Sequence, residues 1–168
     1  MKTKNLFNAI VIVVLSLPLA MSCSQGVEID GLVWAEENVG MSKTIPYGGY
    51  YDFDKAQTAC PEGWRLPTKY EFKMLSRNYS EVEMHNGIAG RWFSGSTPYK
   101  KGVKAVFLPM AGWDLGDGPD CVASRGSYWS STVNYSDYAC NLFFGVSNVF
   151  MGDYSYRSYA YSVRCLKN

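Results

Sequence analysis

The chain has 168 residues, with 16 Lys and Arg against 15 Asp and Glu, for a net charge of +1. That balance excludes a nucleic-acid binder working by phosphate neutralisation. At 47% hydrophobic residues the chain can bury a core, and 15% aromatic against 18% charged residues points to short strands and aromatic clusters.

Lys2 and Lys4 precede an uncharged, almost wholly apolar run from Leu6 to Ala20. The run is short for a membrane-spanning helix and has the form of a signal h-region. It ends in Leu19-Ala20-Met21-Ser22-Cys23, which resembles a bacterial lipobox. Residues 1–22 then read as a lipoprotein signal peptide, Cys23 as the lipidated residue and residues 23–29 as a linker. The alternative is an ordinary signal peptide cut near Ser22. The lipobox implies export, with the outer membrane or cell surface as destination and the lipid as the only membrane contact. Of five cysteines this leaves Cys60, Cys121, Cys140 and Cys165 in a compartment where disulfides persist. Four cysteines allow three pairings, and none forms a CxxC of the kind that binds zinc.

Residues 30–168 read as one α+β domain, with helices in the first half and strands in the second. Asp30-Gly31 is a turn pair that opens a strand over 31–35. A short helix starts near Asp52, runs over 54–60 and stops at Pro61. Thr68-Lys69-Tyr70-Glu71 is a capping box, and Phe72 and Leu75 follow it at helical spacing. A second box, Ser80-Glu81-Val82-Glu83, predicts another helical turn that ends at Asn86-Gly87. Beyond it the candidate strands lie at 91–93, 105–108, 127–130, 139–144 and 159–166.

His85 is the single histidine. A Ser-His-Asp triad would have to use it, and nothing near it suggests a nucleophile, so it reads as a surface residue. Asp114, Asp117 and Asp120 recur at every third position. Oxygen-rich loops can hold Ca²⁺, but this is not EF-hand spacing, and aspartates that close turns are the competing reading. No other cofactor is expected. Glu81 and Glu83 are two apart and would not face each other on a helix, so no glycosidase pair stands out. Residues 128–161 hold seven tyrosines mixed with Ser, Asn and Gly. Such mixtures make good recognition surfaces. Tyr135, Tyr154 and Tyr156 read as binding residues in loops; Tyr128, Trp129 and Phe143 read as core.

Five segments in order carry a family resemblance. They are residues 30–38, the run Cys60-Pro61-Glu62-Gly63-Trp64-Arg65-Leu66-Pro67-Thr68, Phe107-Leu108-Pro109-Met110-Ala111-Gly112, Gly126-Ser127-Tyr128-Trp129-Ser130-Ser131, and Ser162-Val163-Arg164-Cys165. Together they resemble the Fibrobacter succinogenes major paralogous domain, over about residues 30–167. The resemblance implies a C-type-lectin-like fold: two short helices, a small mixed or antiparallel sheet, long loops on one side, and terminal strands that lie together. It also implies a Cys60–Cys165 disulfide, which would contribute about 4–5 kcal/mol in the chain-entropy model. Cys121 and Cys140 would then pair. Residues 64–68 are also similar to a structural segment of the formylglycine-generating sulfatase-modifying enzymes. Those enzymes use a closely spaced cysteine pair, which Cys140 and Cys165 do not match. Lectins that bridge sugars through Ca²⁺ carry Trp-Asn-Asp where this chain has Ser130-Ser131-Thr132 after Trp129. The resulting expectation is a non-catalytic recognition module for a glycan or an envelope or host protein. Its binding residues would be Trp113, Asp114, Asp117, Asp120, Tyr135, Asp137, Tyr154 and Tyr156, in loops around 110–120 and 133–158. A structural lipoprotein assembling with another envelope protein is the second expectation, and an enzyme the third.

Overall fold

Asp30 and Gly31 take φ of 50° and 79°, the two-residue turn whose twist matches flanking antiparallel strands. They join β1 (Val27–Ile29) to β2 (Leu32–Trp34), so the turn pair links two strands instead of opening one. The computed structural model describes residues 26–168; Cys23 and the signal-peptide reading of residues 1–22 lie outside the described residues.

The first helix, α1 (Phe53–Ala56), is a single turn whose N-cap Asp52 accepts from the Lys55 N–H. After β3 (Trp64–Arg65) comes α2 (Lys69–Leu75), opened by the predicted capping box. Thr68 Oγ1 accepts from Glu71 N–H, and the Glu71 carboxylate accepts from Thr68 N–H. Phe72 and Leu75 form the buried face.

The second predicted box caps nothing. Ser80 Oγ donates to the Glu81 carbonyl and accepts from Trp92 N–H. Asn86 and Gly87, at φ 51° and 79°, turn a hairpin between β4 (Glu83–His85) and β5 (Ile88–Phe93). The Asn-Gly turn won because both of its residues adopt positive φ readily, whereas a lone box stabilises only a helix that has an apolar stripe to bury. The chain continues through β6 (Val106–Pro109), β7 (Trp113–Asp114), β8 (Pro119–Asp120), β9 (Gly126–Tyr135), β10 (Tyr138–Phe144), β11 (Val149–Tyr156) and β12 (Leu166–Lys167).

These strands form four sheets, ordered β1-β2-β12-β3, β11-β10-β9, β4-β5-β6 and β7-β8. Every strand pair within them is antiparallel. Strands account for 40% and helix for 8%. The expected α+β, C-type-lectin-like architecture with one small sheet is therefore corrected to a mostly β structure with several small antiparallel sheets. The helices stop at 4 and 7 residues, and from Gly126 to Tyr156 the chain is given over to three long strands. The strand expected over 159–166 is an extended run held by single bridges, including Tyr51↔Tyr161, Asp114↔Ala160 and Tyr128↔Ser162. Among the described residues no helix is long and apolar enough to cross a membrane.

Two apolar clusters form the core. Trp34, Phe72, Leu108, Tyr128, Leu142 and Phe144 belong to the first; Phe53, Ala56, Trp129, Tyr161, Val163 and Cys165 belong to the second. Leu166 pairs with both Trp34 and Arg65, so the two ends of the described chain meet in one sheet. Cys60 and Cys165, 105 positions apart, are joined by a disulfide. Cys121 and Cys140 are not bridged and remain thiols. Cys121 is half-buried in a positive-φ turn after β8, while Cys140 is buried within β10.

Candidate functional site: an aromatic trough on the β9–β11 sheet

Alternation along β10 sends Leu142 and Phe144 into the first core cluster. Asn141 and Phe143 therefore face the other side of the sheet. Across β11, Asn141 lies opposite Gly152 and Phe143 opposite Phe150; across β9, Phe143 lies opposite Ser127. This outward face is the floor of a cavity of about 380 Å³. Trp113 and Leu115 from the β7–β8 hairpin wall one part, and Tyr154, Tyr159 and Tyr161 wall another.

Two backbone features place the walls. Asp114 and Ala160 exchange N–H···O bonds at 2.9 Å in both directions, which locks the β7–β8 hairpin to the run that carries Tyr159 and Tyr161. Gly112, at φ 69°, precedes Trp113; a Cβ there would lie 1.9 Å from the Asp120 carbonyl oxygen. Only glycine permits that approach.

The rings form two contact groups. Trp113 and Phe143 have centroids 6.2 Å apart, and Phe143 and Phe150 4.9 Å apart. From the buried end, Trp129 meets Tyr161 at 4.4 Å, Tyr161 meets Tyr159 at 6.2 Å, and Tyr159 meets Tyr156 at 5.4 Å. Tyr138 then contacts Tyr156 at 4.7 Å and Tyr154 at 6.1 Å, and Tyr154 stacks on Tyr135 at 6.1 Å. Between the rings runs a short polar relay. Tyr161 OH donates to Ser155 Oγ at 3.3 Å, and Ser155 Oγ donates to Asn141 Oδ1 at 3.0 Å. Burial pushes the Tyr161 phenol up, and the hydrogen bond with Tyr156, then burial, raises Tyr138. Both stay neutral at neutral pH.

Of the residues expected to bind, Trp113 and Tyr154 line the trough. Tyr135 and Tyr156 extend its ring array, and Tyr135 and Tyr154 are 60% and 65% exposed. All three tyrosines sit in strands β9 and β11, not in loops. The aspartates do not converge. Asp114 Oδ1 accepts from Gly116 and Gly118 N–H, closing its own turn. Asp120 Oδ1 accepts from Cys121 N–H, and Asp117 is exposed at the hairpin tip. Among the described residues no group of three or more His, Cys, Asp or Glu could hold a metal ion. Asp137 lies apart, with Asp54 and Arg157 in a different cavity.

Sequence reasoning missed Asn141, Phe143, Phe150 and Ser155, and left Tyr159 and Tyr161 open between a binding role and the core face of a strand. Phe143, taken as core, is half-exposed on the outer face. Its signal was present: it alternates with buried Leu142 and Phe144. Trp129 and Tyr128 are fully buried, as expected of core residues. His85 is exposed and packs edge-on against Trp92 at 4.9 Å beside a second cavity of about 350 Å³.

The molecule is thus a mostly β, disulfide-tied fold with paired ends and one concave aromatic face. The chain belongs to the Fibrobacter succinogenes major domain family, which it matches over residues 33–167. No curated protein and no solved structure matches it.

Proposed function

We propose that this chain is an exported, lipid-anchored recognition module that binds a glycan in the trough without covalent chemistry. The observation that carries the reading is the trough itself: rings of Trp113, Phe143, Phe150, Tyr154, Tyr159 and Tyr161 around the small polar groups of Ser127, Asn141 and Ser155. Flat aromatic faces stack on the CH faces of sugars, while hydroxyl and amide groups bond sugar hydroxyls. The described residues that line it carry no histidine, cysteine or carboxylate, and their polar groups include hydroxyls and one carboxamide. The lipobox ending at Cys23 and the Cys60–Cys165 bridge support export to the outer membrane or cell surface.

A glycan array probed with the protein and with Trp113→Ala and Tyr154→Ala tests the reading. Each variant is expected to lose at least about tenfold in affinity for any bound glycan, since stacked rings dominate such contacts. Silence across the array, with capture of an envelope protein that both variants abolish, would replace the glycan with a protein ligand.

A further inference from the structure

Gly152 lies next to the register shift of β11 on β10, but no left-handed φ requires glycine there. It sits inside β11, and glycine weakens a strand interior. The reason is space. A Cβ at position 152 would stand 2.3 Å from Asn141 Oδ1. The strand gives up a side chain so that the Asn141 carboxamide can lie in the trough floor. That carboxamide is 3% exposed, and its oxygen is held by Ser155 Oγ, which is held in turn by Tyr161 OH. A carboxamide anchored through its oxygen offers its Nδ2 hydrogens as donors.

Charge narrows what those donors can meet. Among the described residues lining the trough, the only ionisable groups are the phenols of Tyr154, Tyr159 and Tyr161. Of two charged groups that flank the trough, one packs on the ring of the floor residue Phe143 and the other closes its own turn. The Arg125 guanidinium lies 5.7 Å over the Phe143 ring, and the Asp114 carboxylate is taken by the Gly116 and Gly118 amides. A carboxylated or sulfated ligand would shed its hydration here and meet no cation among the described lining residues, Arg125 lying over the Phe143 ring. An uncharged pyranose brings an apolar CH face for the rings and hydroxyls for the floor.

We infer, on the reading that the trough binds glycans, that its ligand is an uncharged pyranose whose hydroxyl accepts from Asn141 in a floor that Gly152 keeps open. Wild-type protein titrated calorimetrically with neutral hexasaccharides of glucose, mannose and xylose, and with oligogalacturonate and chondroitin sulfate hexasaccharides, tests the class of ligand. The expected result is saturable binding of at least one neutral probe and none of the charged ones. Asn141→Ala and Gly152→Ala, each checked for a native circular dichroism spectrum, are then expected to weaken neutral binding by about tenfold or more. Preference for a charged probe, lost on Trp113→Ala, would overturn the inference and leave the glycan reading standing. Neutral binding unchanged in natively folded Asn141→Ala would overturn the assignment of the floor. Absence of binding to every probe would remove the glycan reading and the inference together.

Discussion

Arg164 is almost completely buried, and no carboxylate among the described residues is within salt-bridge distance of it. Its Nε and Nη2 donate to Asn38 Oδ1 at 3.0 and 2.7 Å, and its Nη1 donates to the Ala35 and Glu36 carbonyls at 2.9 and 2.6 Å. Burial brings its pKa down to about 10, so it stays charged at neutral pH. The fork pins the segment after β2 to the run before β12. Arg164→Leu strands several buried acceptors and is expected to cost about 3–5 kcal/mol. Arg164→Lys is not expected to rescue it, because an ammonium cannot reproduce the planar fork. Urea denaturation of the three proteins measures both effects. In sequence this residue was visible only as part of a family-like segment, since its partners lie more than 125 positions away.

At the scale of elements, α2 was legible because its signals are local: cap, box and apolar stripe fall within eight residues. Arg65, a residue expected from the sequence to bond carbonyls or a carboxylate, donates through Nη1 and Nη2 to both Glu71 oxygens at 2.8 and 2.6 Å. These bonds hold the Glu71 carboxyl below its ordinary value of 4.5, with Thr68 assisting and burial opposing. A lowered folded-state pKa means that the stabilisation is full above 4.5 and is lost as pH falls through the folded value. Glu71→Gln is therefore expected to cost about 1–2 kcal/mol at neutral pH, and the gap to wild type should close in acid. Urea midpoints collected down to about pH 3 check the sign and the window. Other elements were not legible. In β11 the alternation is blurred by exposed Phe150, Tyr154 and Tyr156 and by Gly152, and the strand is defined only by its register on β10. The Ser80 box was legible and misleading, because the hairpin behind it closes through a stronger local turn.

For the whole molecule, the decisive covalent link is Cys60–Cys165. Closing a loop of 105 positions removes unfolded-state entropy equivalent to about 4–5 kcal/mol in the chain-entropy model. A fold of this size has a total stability of about 5–15 kcal/mol. Replacing both cysteines with alanine is therefore expected to cost about 4–5 kcal/mol and to leave a marginal fold, measurable by calorimetric or urea unfolding. The sequence by itself determined the features that depend on neighbours along the chain: the Asp30-Gly31 and Asn86-Gly87 turns, the Thr68 cap and the buried pair Tyr128 and Trp129. The trough was decided only by tertiary structure. Trp113, Asn141, Gly152 and Tyr161 belong to four separate stretches, and which face each presents depends on strand register and on the Asp114–Ala160 lock. A one-residue slip in register would turn Asn141 and Phe143 to the core, and no local preference encodes that choice; the burial of Leu142 and Phe144 on the opposite face does.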